Sequence, residues 1–416
     1  MPSITLFLVG TLLLSLNSIR FAGLAISDWF YFGALGLAVI ETAHFDRKNF
    51  TCWTRNRFLW PAGLILFGAI ISTARAVFVQ TAVIEIVQQL FVITLFISLI
   101  WVMVKRGKAR VIMRAFILSG VLAASVAIVD FFAGTRFGPI LSGTPGVQFW
   151  GRYAGTLGHP NKFGYFLVIT SILSLAELMD DQSKRSPFIT RLFWGFLFSL
   201  QIFGLYLSGS VAAYLGILLG LVALFLSSRL FLRRTLKFMI PILYALTLVF
   251  VFVMIFGTNT LANPTVFGSS LITRGIGRVE STTARSRWVI YIEALEQIVN
   301  NPLVGVGYDQ ISTSGIGFDN RELSGTVHNL LLQIWYVGGL FAFLGWLVIY
   351  FSIGWEAISV LHWGERRAMT PIILGIAAAV VAVLLMDLFQ DAIYQREKWL
   401  VVGLLVTTAW SSRSLK

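Results

Sequence analysis

The sequence predicts an all-α protein that crosses a membrane many times. Of its 416 residues, 57% are hydrophobic and only 12% are charged, and the mean hydropathy is +0.82. Soluble domains are roughly 45–50% apolar and about 25% charged. So few charges cannot cover a chain of this size with a hydrated surface, so the bilayer must be its main solvent. Backbone groups in a bilayer must bond to one another, which favours helices.

Twelve apolar segments are each long enough to cross about 30 Å of hydrocarbon. The first segment lacks the basic region and the small-residue cleavage site of a signal peptide, so we expect it to be a span. We expect about 12 transmembrane helices in a single membrane domain, residues 1–416. The segments are 4–19, 27–43, 58–74, 83–104, 112–133, 163–179, 190–207, 210–228, 238–257, 328–352, 369–389 and 397–412.

Basic residues predict the orientation of these spans. If both termini are cytoplasmic, 20 of the 32 lysines and arginines lie in cytoplasmic loops and tails. Such an excess is typical of membrane proteins, so the net charge of +13 does not indicate nucleic-acid binding. The single cysteine, Cys52, excludes an intramolecular disulfide and a multi-cysteine metal site. The loops assigned to the cytoplasm are 44–57, 105–114, 180–191 and 229–237.

Two segments on the predicted outer face do not resemble lipid-solvated helix. Residues 134–161 are rich in Gly and Pro, and residues 258–327 form a connection whose length is typical of functional or disordered loops. Within the second we predict a helix over 284–299, ended by Asn300-Asn301-Pro302. We expect it to lie on the membrane surface or over a cavity. Its apolar positions are Trp288, Ile292, Leu295 and Ile298 or Val299.

His328 is the outer-face histidine best suited to acid–base chemistry. It lies at the start of a predicted span, with Thr326 as a candidate N-cap. In a first helical turn the dipole disfavours imidazolium, which would keep the ring neutral and able to accept a proton. The structural alternative is an interfacial histidine that bonds to backbone or lipid headgroups.

Several arginines on the outer face depart from the orientation rule. Arg285 and Arg287 fall near the N-terminus of the predicted loop helix, where the backbone already favours an anion. Guanidinium groups match phosphate oxygens in shape and charge. Because the two residues are two positions apart, they belong to different helix faces. The alternative for each arginine is snorkelling to lipid headgroups.

Acidic residues on the outer face form no cluster that suggests a magnesium or zinc site. No nucleotide-binding glycine motif is present, so we expect neither a metal nor a cofactor. Ionisable residues inside the predicted spans are few, and we expect none of them to form the relay or the charge pair of a proton-coupled transporter. They are Glu85, Asp130, Glu177 and Asp387.

Three stretches together resemble the O-antigen ligase and polymerase superfamily of bacterial surface-polysaccharide enzymes. The first, Gly151–Asn161, resembles the family's first outer-loop motif. The second, Arg287–Tyr308, resembles its arginine-headed helix followed by a Pro-Leu-x-Gly-x-Gly turn. The third is Val327-His328-Asn329 with Gly338-Gly339-Leu340 further on. One departure is clear, because Val211 stands where family members often carry an arginine.

The resemblance implies a membrane glycosyltransferase of the C type (GT-C) in the bacterial inner membrane, with its site facing the periplasm. The donor would be a glycan on undecaprenyl diphosphate, and the acceptor another carrier-linked glycan or a lipid A–core sugar. A chain-length regulator protein is a further possible partner. The rival class is a transporter or flippase for lipid-linked sugars. The implied site residues are His328 as the base, Arg287 with Arg152 or Arg285 as the diphosphate clamp, and Asn329, His159, Asn161 and Tyr308 as secondary candidates.

Overall fold

The computed structural model describes most of the chain, and nearly all of the described part is helical. The described residues are 2–16, 19–21, 24–45, 57–142, 152–180, 187–227, 282–309, 327–363, 371–390 and 392–413. The helices are α1 (Pro2–Leu12, continued by a 3-10 turn, Leu13–Leu16), α2 (Ile26–Phe45), α3 (Leu59–Thr73), α4 (Val79–Lys105, with a π-helical segment, Phe91–Phe96), α5 (Ala109–Ala133), α6 (Phe137–Leu141), α7 (Pro160–Met179), α8 (Pro187–Ser208), α9 (Val211–Leu226), α10 (Thr282–Asn300), α11 (Leu330–Trp363), α12 (Pro371–Met386) and α13 (Arg396–Arg413).

The protein is an all-α membrane protein, as its composition predicts. Within the described residues, five helices are long and apolar enough to cross a membrane, and four more are shorter and apolar. A four-residue antiparallel pairing of Arg20–Phe21 with Leu24–Ala25 is a small departure from the all-α prediction. The predicted span 238–257 lies outside the described residues. The five long helices are Val79–Lys105, Ala109–Ala133, Pro160–Met179, Phe188–Ser208 and Leu330–His362.

Helix α7 is the centre of the bundle. It packs against α5, α8, α9 and α12, and nearly every one of its side chains is buried. Small residues allow these close approaches, because a side chain at Gly120 would collide with Thr170 and one at Gly375 with Ala176. Close packing of small residues is how helices associate inside a bilayer. The N-terminus of α7 is therefore held rigidly, and the candidate site is built on it.

Ion pairs join the helices at the bundle end opposite to the N-terminus of α7. Glu177, near the C-terminus of α7, accepts paired hydrogen bonds from Arg110 (3.0 and 2.7 Å) and Arg114 (both 3.0 Å) at the start of α5. Arg106 pairs with Glu41 at 2.6 Å. Bidentate arginine–carboxylate contacts have a defined geometry, so they fix the ends of these helices relative to one another.

Helix α11 is interrupted at Gly339, where φ is +67°. The interruption frees the carbonyls of Tyr336 and Val337, which accept hydrogen bonds from the N–H groups of Val306 (3.0 Å) and Gly307 (3.3 Å). Built onto Gly339, a Cβ atom would lie 2.2 Å from the carbonyl oxygen of Leu303. We call this contact between the turn 302–307 and the break in α11 the glycine junction. It attaches α10 to α11 through main-chain atoms.

The buried face of α10 includes only one of the apolar positions named from the sequence, Ile298. Ile290, Ala294 and Ile298 are buried against α11 and α4, together with Tyr308 and Val337. Three of these positions recur every four residues, which places them on one face of the helix. The other apolar side chains named from the sequence are exposed, at 67% for Trp288, 50% for Ile292, 48% for Leu295 and 76% for Val299.

Candidate active site

The outer-loop motif and the histidine motif meet at one end of the bundle, around the N-terminus of α7. His159 is the residue that precedes α7, and the charge of His328 is close enough to act on its ring. Gln390, after α12, donates to the carbonyl of Asn161 at 3.4 Å. The N–H of Leu330 donates to the carbonyl of Asp387 at 2.9 Å. Segments far apart in the sequence therefore converge here.

Arg152 lies against the turn between α8 and α9. Its Nε donates to the Ser208 carbonyl at 2.7 Å, and one terminal nitrogen donates to Asn161 Oδ1 at 2.5 Å. The turn is tight because Gly209 has a φ of +56°, and the Arg152 side chain packs on it. Val211 is the first residue of α9, directly after this turn. Arg152 thus brings a guanidinium next to the position where the sequence lacks an arginine.

His159 is fixed in a neutral form. Its Nδ1 accepts a hydrogen bond from the backbone N–H of Asn161 at 3.1 Å, which makes it the N-cap of α7. The cap explains why Pro160 follows at the first helical position, where no N–H is needed. Burial and then the positive charges of Arg152 and Lys162, to which His328 adds when its ring is protonated, lower the pKa of His159 to about 4.

The sequence predicted His328 in the first turn of its helix. In the structure it precedes α11 and lies outside that turn. Helix α11 begins at Leu330, and Asn329 is the residue that caps it: Oδ1 of Asn329 accepts from the N–H of Leu332 at 3.0 Å. His328 itself has a φ of +50°, a left-handed conformation that is uncommon outside glycine. The predicted cap, Thr326, lies outside the described residues. The asparagine takes that role because its amide oxygen reaches the free N–H groups of the first turn.

Helix α10 passes beside His328. The hydroxyl of Tyr291 lies 3.4 Å from the His328 carbonyl oxygen, at the limit of a hydrogen bond. Arg287 is four positions earlier in α10, one turn of helix away. The side chains of Arg285 and Arg287 lie outside the described part of the chain, so only the positions of their backbones are defined.

Tyr308 lies apart from this group. Its side chain is fully buried between α10 and α11, and its hydroxyl bonds to the amide oxygen of Gln89. Burial, assisted by the charge of Glu85, raises the pKa of Tyr308 above its ordinary value. The residue belongs to the packing around the glycine junction.

A buried ion pair behind the site was not predicted. Lys398 Nζ lies 2.6 Å from Asp387 Oδ2, and Tyr165 donates to Asp387 Oδ1 at 2.9 Å. The ammonium also lies 5.1 Å from the ring centroid of Trp346 and 5.4 Å from that of Trp399. The sequence does place Asp387 near the end of the apolar segment 369–389 and Lys398 near the beginning of the segment 397–412. Whether the two residues pair depends on how α12 and α13 pack. Asp387 was expected to lack such a partner, and this expectation was wrong.

Among the residues that the structure describes, no group of three or more His, Cys, Asp or Glu side chains could hold a metal ion. The charged groups that act on His159 are all basic. The site therefore offers hydrogen-bond donors and positive charge, which are the features that bind phosphate-like anions.

These features define a multi-pass, all-α membrane protein with a basic, histidine-bearing site at one end of its helix bundle. Residues 196–347 match the family model described as O-antigen ligase. The predicted resemblance to the O-antigen ligase and polymerase superfamily is thereby confirmed. The match begins within α8, covers α9 and α10 and ends within α11, and so includes Arg287 and His328. No curated protein matches the chain.

Proposed function

We propose that this protein transfers a glycan from an undecaprenyl-diphosphate-linked donor to a sugar hydroxyl during assembly of a surface polysaccharide. The observation that carries the proposal is the convergence of Arg152, His159 and His328 at one end of the bundle. The match to the O-antigen ligase family model supports a glycosyltransferase-like activity. The proposal includes a bacterial inner-membrane location, a GT-C type of fold and a site that faces the periplasm.

The roles follow from the chemistry of the reaction. Undecaprenyl diphosphate is already a good leaving group, so the main requirement is positive charge at its phosphates as the glycosidic bond breaks. Arg152 and Arg287 supply that charge in this proposal, with Arg285 as the alternative second arginine. His328 accepts the proton of the acceptor hydroxyl as its oxygen attacks the anomeric carbon. A single displacement inverts that centre.

Polymerisation is favoured over ligation to lipid A–core. The reason is the departure at Val211, because a ligase site with three fixed partners would need an arginine there. Arg152 reaches the same turn from a different segment of the chain, through its bond to the Ser208 carbonyl. The acceptor is accordingly a second carrier-linked glycan, and a chain-length regulator is a suitable protein partner.

A flippase for lipid-linked sugars is the alternative from another class. Such a protein would carry its anionic cargo along a polar path through the bilayer. Within the described helices, the arginines at the far end are bound to Glu177, and Lys398 is bound to Asp387. These pairings favour a fixed site at one end of the bundle.

Reconstitution tests the proposal directly. Purified protein in liposomes, supplied with an undecaprenyl-diphosphate-linked repeat unit, should produce longer lipid-linked glycans and release undecaprenyl diphosphate. Activity should persist in EDTA, since arginines provide the charge at the leaving group. Mass spectrometry of the lipid fraction measures both products.

Three other outcomes are informative. A donor that crosses the bilayer with unchanged mass would contradict the proposal and indicate a flippase. Product formed only when lipid A–core is added would indicate ligation. Activity lost in EDTA and restored by Mg²⁺ or Mn²⁺ would show that a cation assists the leaving group.

A further inference from the structure

His159 differs from an ordinary helix cap because its ring carries two functions at opposite nitrogens. The Nδ1 atom accepts from the Asn161 N–H at 3.1 Å. An imidazole nitrogen that accepts a hydrogen bond carries no proton, so in the neutral ring the proton is on Nε2. The cap therefore fixes both the orientation of the ring and the nitrogen that donates.

The surroundings of the ring prevent it from acting as a base. Arg152 and Lys162 belong to the same short segment as His159, and His328 adds a third basic group. Together with burial these charges hold the pKa of His159 near 4, so the ring remains neutral at pH 7. It cannot collect a proton there, but a neutral N–H can donate a hydrogen bond without a counterion.

The same surroundings suit an anionic ligand. Arg152 is held by Asn161 Oδ1 at 2.5 Å, and the backbone of that same asparagine is bonded to His159. The guanidinium and the imidazole are thus joined through one residue at the start of α7. Lys162, exposed in the first turn of α7, adds a second cation, although the buried Glu397 is near enough to affect it.

We infer that His159 binds a phosphate oxygen of the lipid diphosphate through its Nε2–H, as a neutral donor beside Arg152. This inference rests on the proposed function, and it assigns a role that the general base does not fill. No proton is transferred, because the hydrogen bond strengthens as negative charge develops on the leaving group. His159 and His328 are then distinct in role, one as a donor to the leaving group and the other as the acceptor of a proton.

Two substitutions separate the cap from the donor. In His159→Asn the amide oxygen can still accept from the Asn161 N–H, since asparagine is a good N-cap. The N–H donor at the position of Nε2 is lost. In His159→Gln the amide nitrogen can reach the place of Nε2, while the cap is weakened. The probes are undecaprenyl diphosphate and, as a control without phosphate, undecaprenol.

The expected result is a 10- to 100-fold weaker affinity of the Asn variant for undecaprenyl diphosphate, with an unchanged unfolding temperature. That range is what a hydrogen bond to a charged group, about 1.5–3 kcal/mol, is equivalent to. The Gln variant should bind with nearly the affinity of the wild type, because its amide nitrogen donates in place of Nε2, and it should unfold at a lower temperature. His159→Ala should lose both properties, and none of the variants should change its affinity for undecaprenol.

The opposite order would overturn the inference. If the Asn variant binds as tightly as the wild type, or if the Gln variant binds as weakly as the Ala variant, His159 is a cap only. Failure of the proposed function gives a different result, because the wild-type protein would then show no preference for undecaprenyl diphosphate over undecaprenol. The two failures are therefore distinguished by the wild-type measurement.

Discussion

His328 is the residue on which the proposed chemistry depends most, and its backbone is held in the left-handed region at a φ of +50°. Such a conformation costs a non-glycine residue roughly 1–3 kcal/mol and persists where the surroundings impose it. Here Asn329 caps α11 on one side, and the bond from Leu330 to Asp387 holds the next residue. The ring is thereby presented at the end of the bundle.

Replacing His328 by alanine should abolish glycan transfer without affecting membrane insertion. Loss of a general base costs about 10²- to 10⁴-fold in rate. The measurement is the initial rate of glycan extension in liposomes. His362→Ala, at the far end of α11, is the matched control and should retain wild-type activity. Near-normal transfer by the His328 variant would remove this residue from the mechanism.

Arg287 should not tolerate lysine. Lysine preserves the charge but loses the planar, bidentate geometry that fits two phosphate oxygens, so Arg287→Lys should be nearly as impaired as Arg287→Ala. The assay is again the rate of extension, with undecaprenyl diphosphate affinity measured in parallel. The same pair of substitutions at Arg285, on a different helix face, serves as the comparison. A fully active Arg287→Lys protein would indicate a headgroup anchor.

At the scale of the element, α10 shows what the sequence can and cannot predict. Its existence and its end before Pro302 follow from periodicity and from a strong stop signal. Which of its apolar positions contact protein does not follow from the sequence, because Ile290, Ala294 and Ile298 are buried whereas Trp288 is exposed. A bilayer accepts apolar side chains on an outer face, so hydrophobicity alone cannot distinguish protein contact from lipid contact.

The glycine junction leads to a prediction for α11. Gly339→Ala should lower both activity and stability, because the φ of +67° and ψ of −168° at this position form a conformation that essentially only glycine adopts, and the Cβ of alanine would meet the Leu303 carbonyl. Gly354→Ala is the control, since the nearest atom to a Cβ there is a side-chain carbon at 3.5 Å. Thermal unfolding in detergent and the rate of extension measure the two effects. Equal behaviour of the two variants would show that the junction does not hold α10 in place.

At the scale of the whole molecule, the helical segments and the convergence of two motifs were predictable, while the long-range pairings were not. The length of each apolar segment predicts a helix wherever the structure describes that segment. The resemblance assigned Arg152 and His328 to one site. The Asp387–Lys398 pair required knowledge of which helices are neighbours. A single sequence contains charges but not the distances between them.

Topology is the prediction on which the proposed mechanism depends. The outer motifs and the arginines that bind Glu177 lie at opposite ends of α7. We predict that residues 134–161 and 258–327 are periplasmic, that loops 44–57 and 105–114 are cytoplasmic, and that both termini are cytoplasmic. The reason is the excess of basic residues on the second set.

Cysteine labelling tests this orientation in a Cys52→Ser background. In intact spheroplasts, Ser314→Cys should react with a membrane-impermeant thiol reagent, and Lys108→Cys should react only after lysis. The unsubstituted background controls for non-specific labelling. The reverse pattern would place His328 in the cytoplasm, where donors that have already been flipped are absent, and it would overturn the proposed function as well.

The glycine junction also fixes the backbone position of the turn 302–307 while leaving its exposed side chains free to change. Its hydrogen bonds join main-chain atoms of Val306 and Gly307 to those of α11, so they require glycine at positions 305 and 307, where φ is +74° and +136°, but not particular side chains elsewhere in the turn. Leu303, more than half exposed, can be exchanged without breaking them. An engineer who wishes to redesign this loop can therefore vary its exposed side chains as a library, provided that Gly305, Gly307 and Gly339 are kept so that the two backbones hold the frame constant.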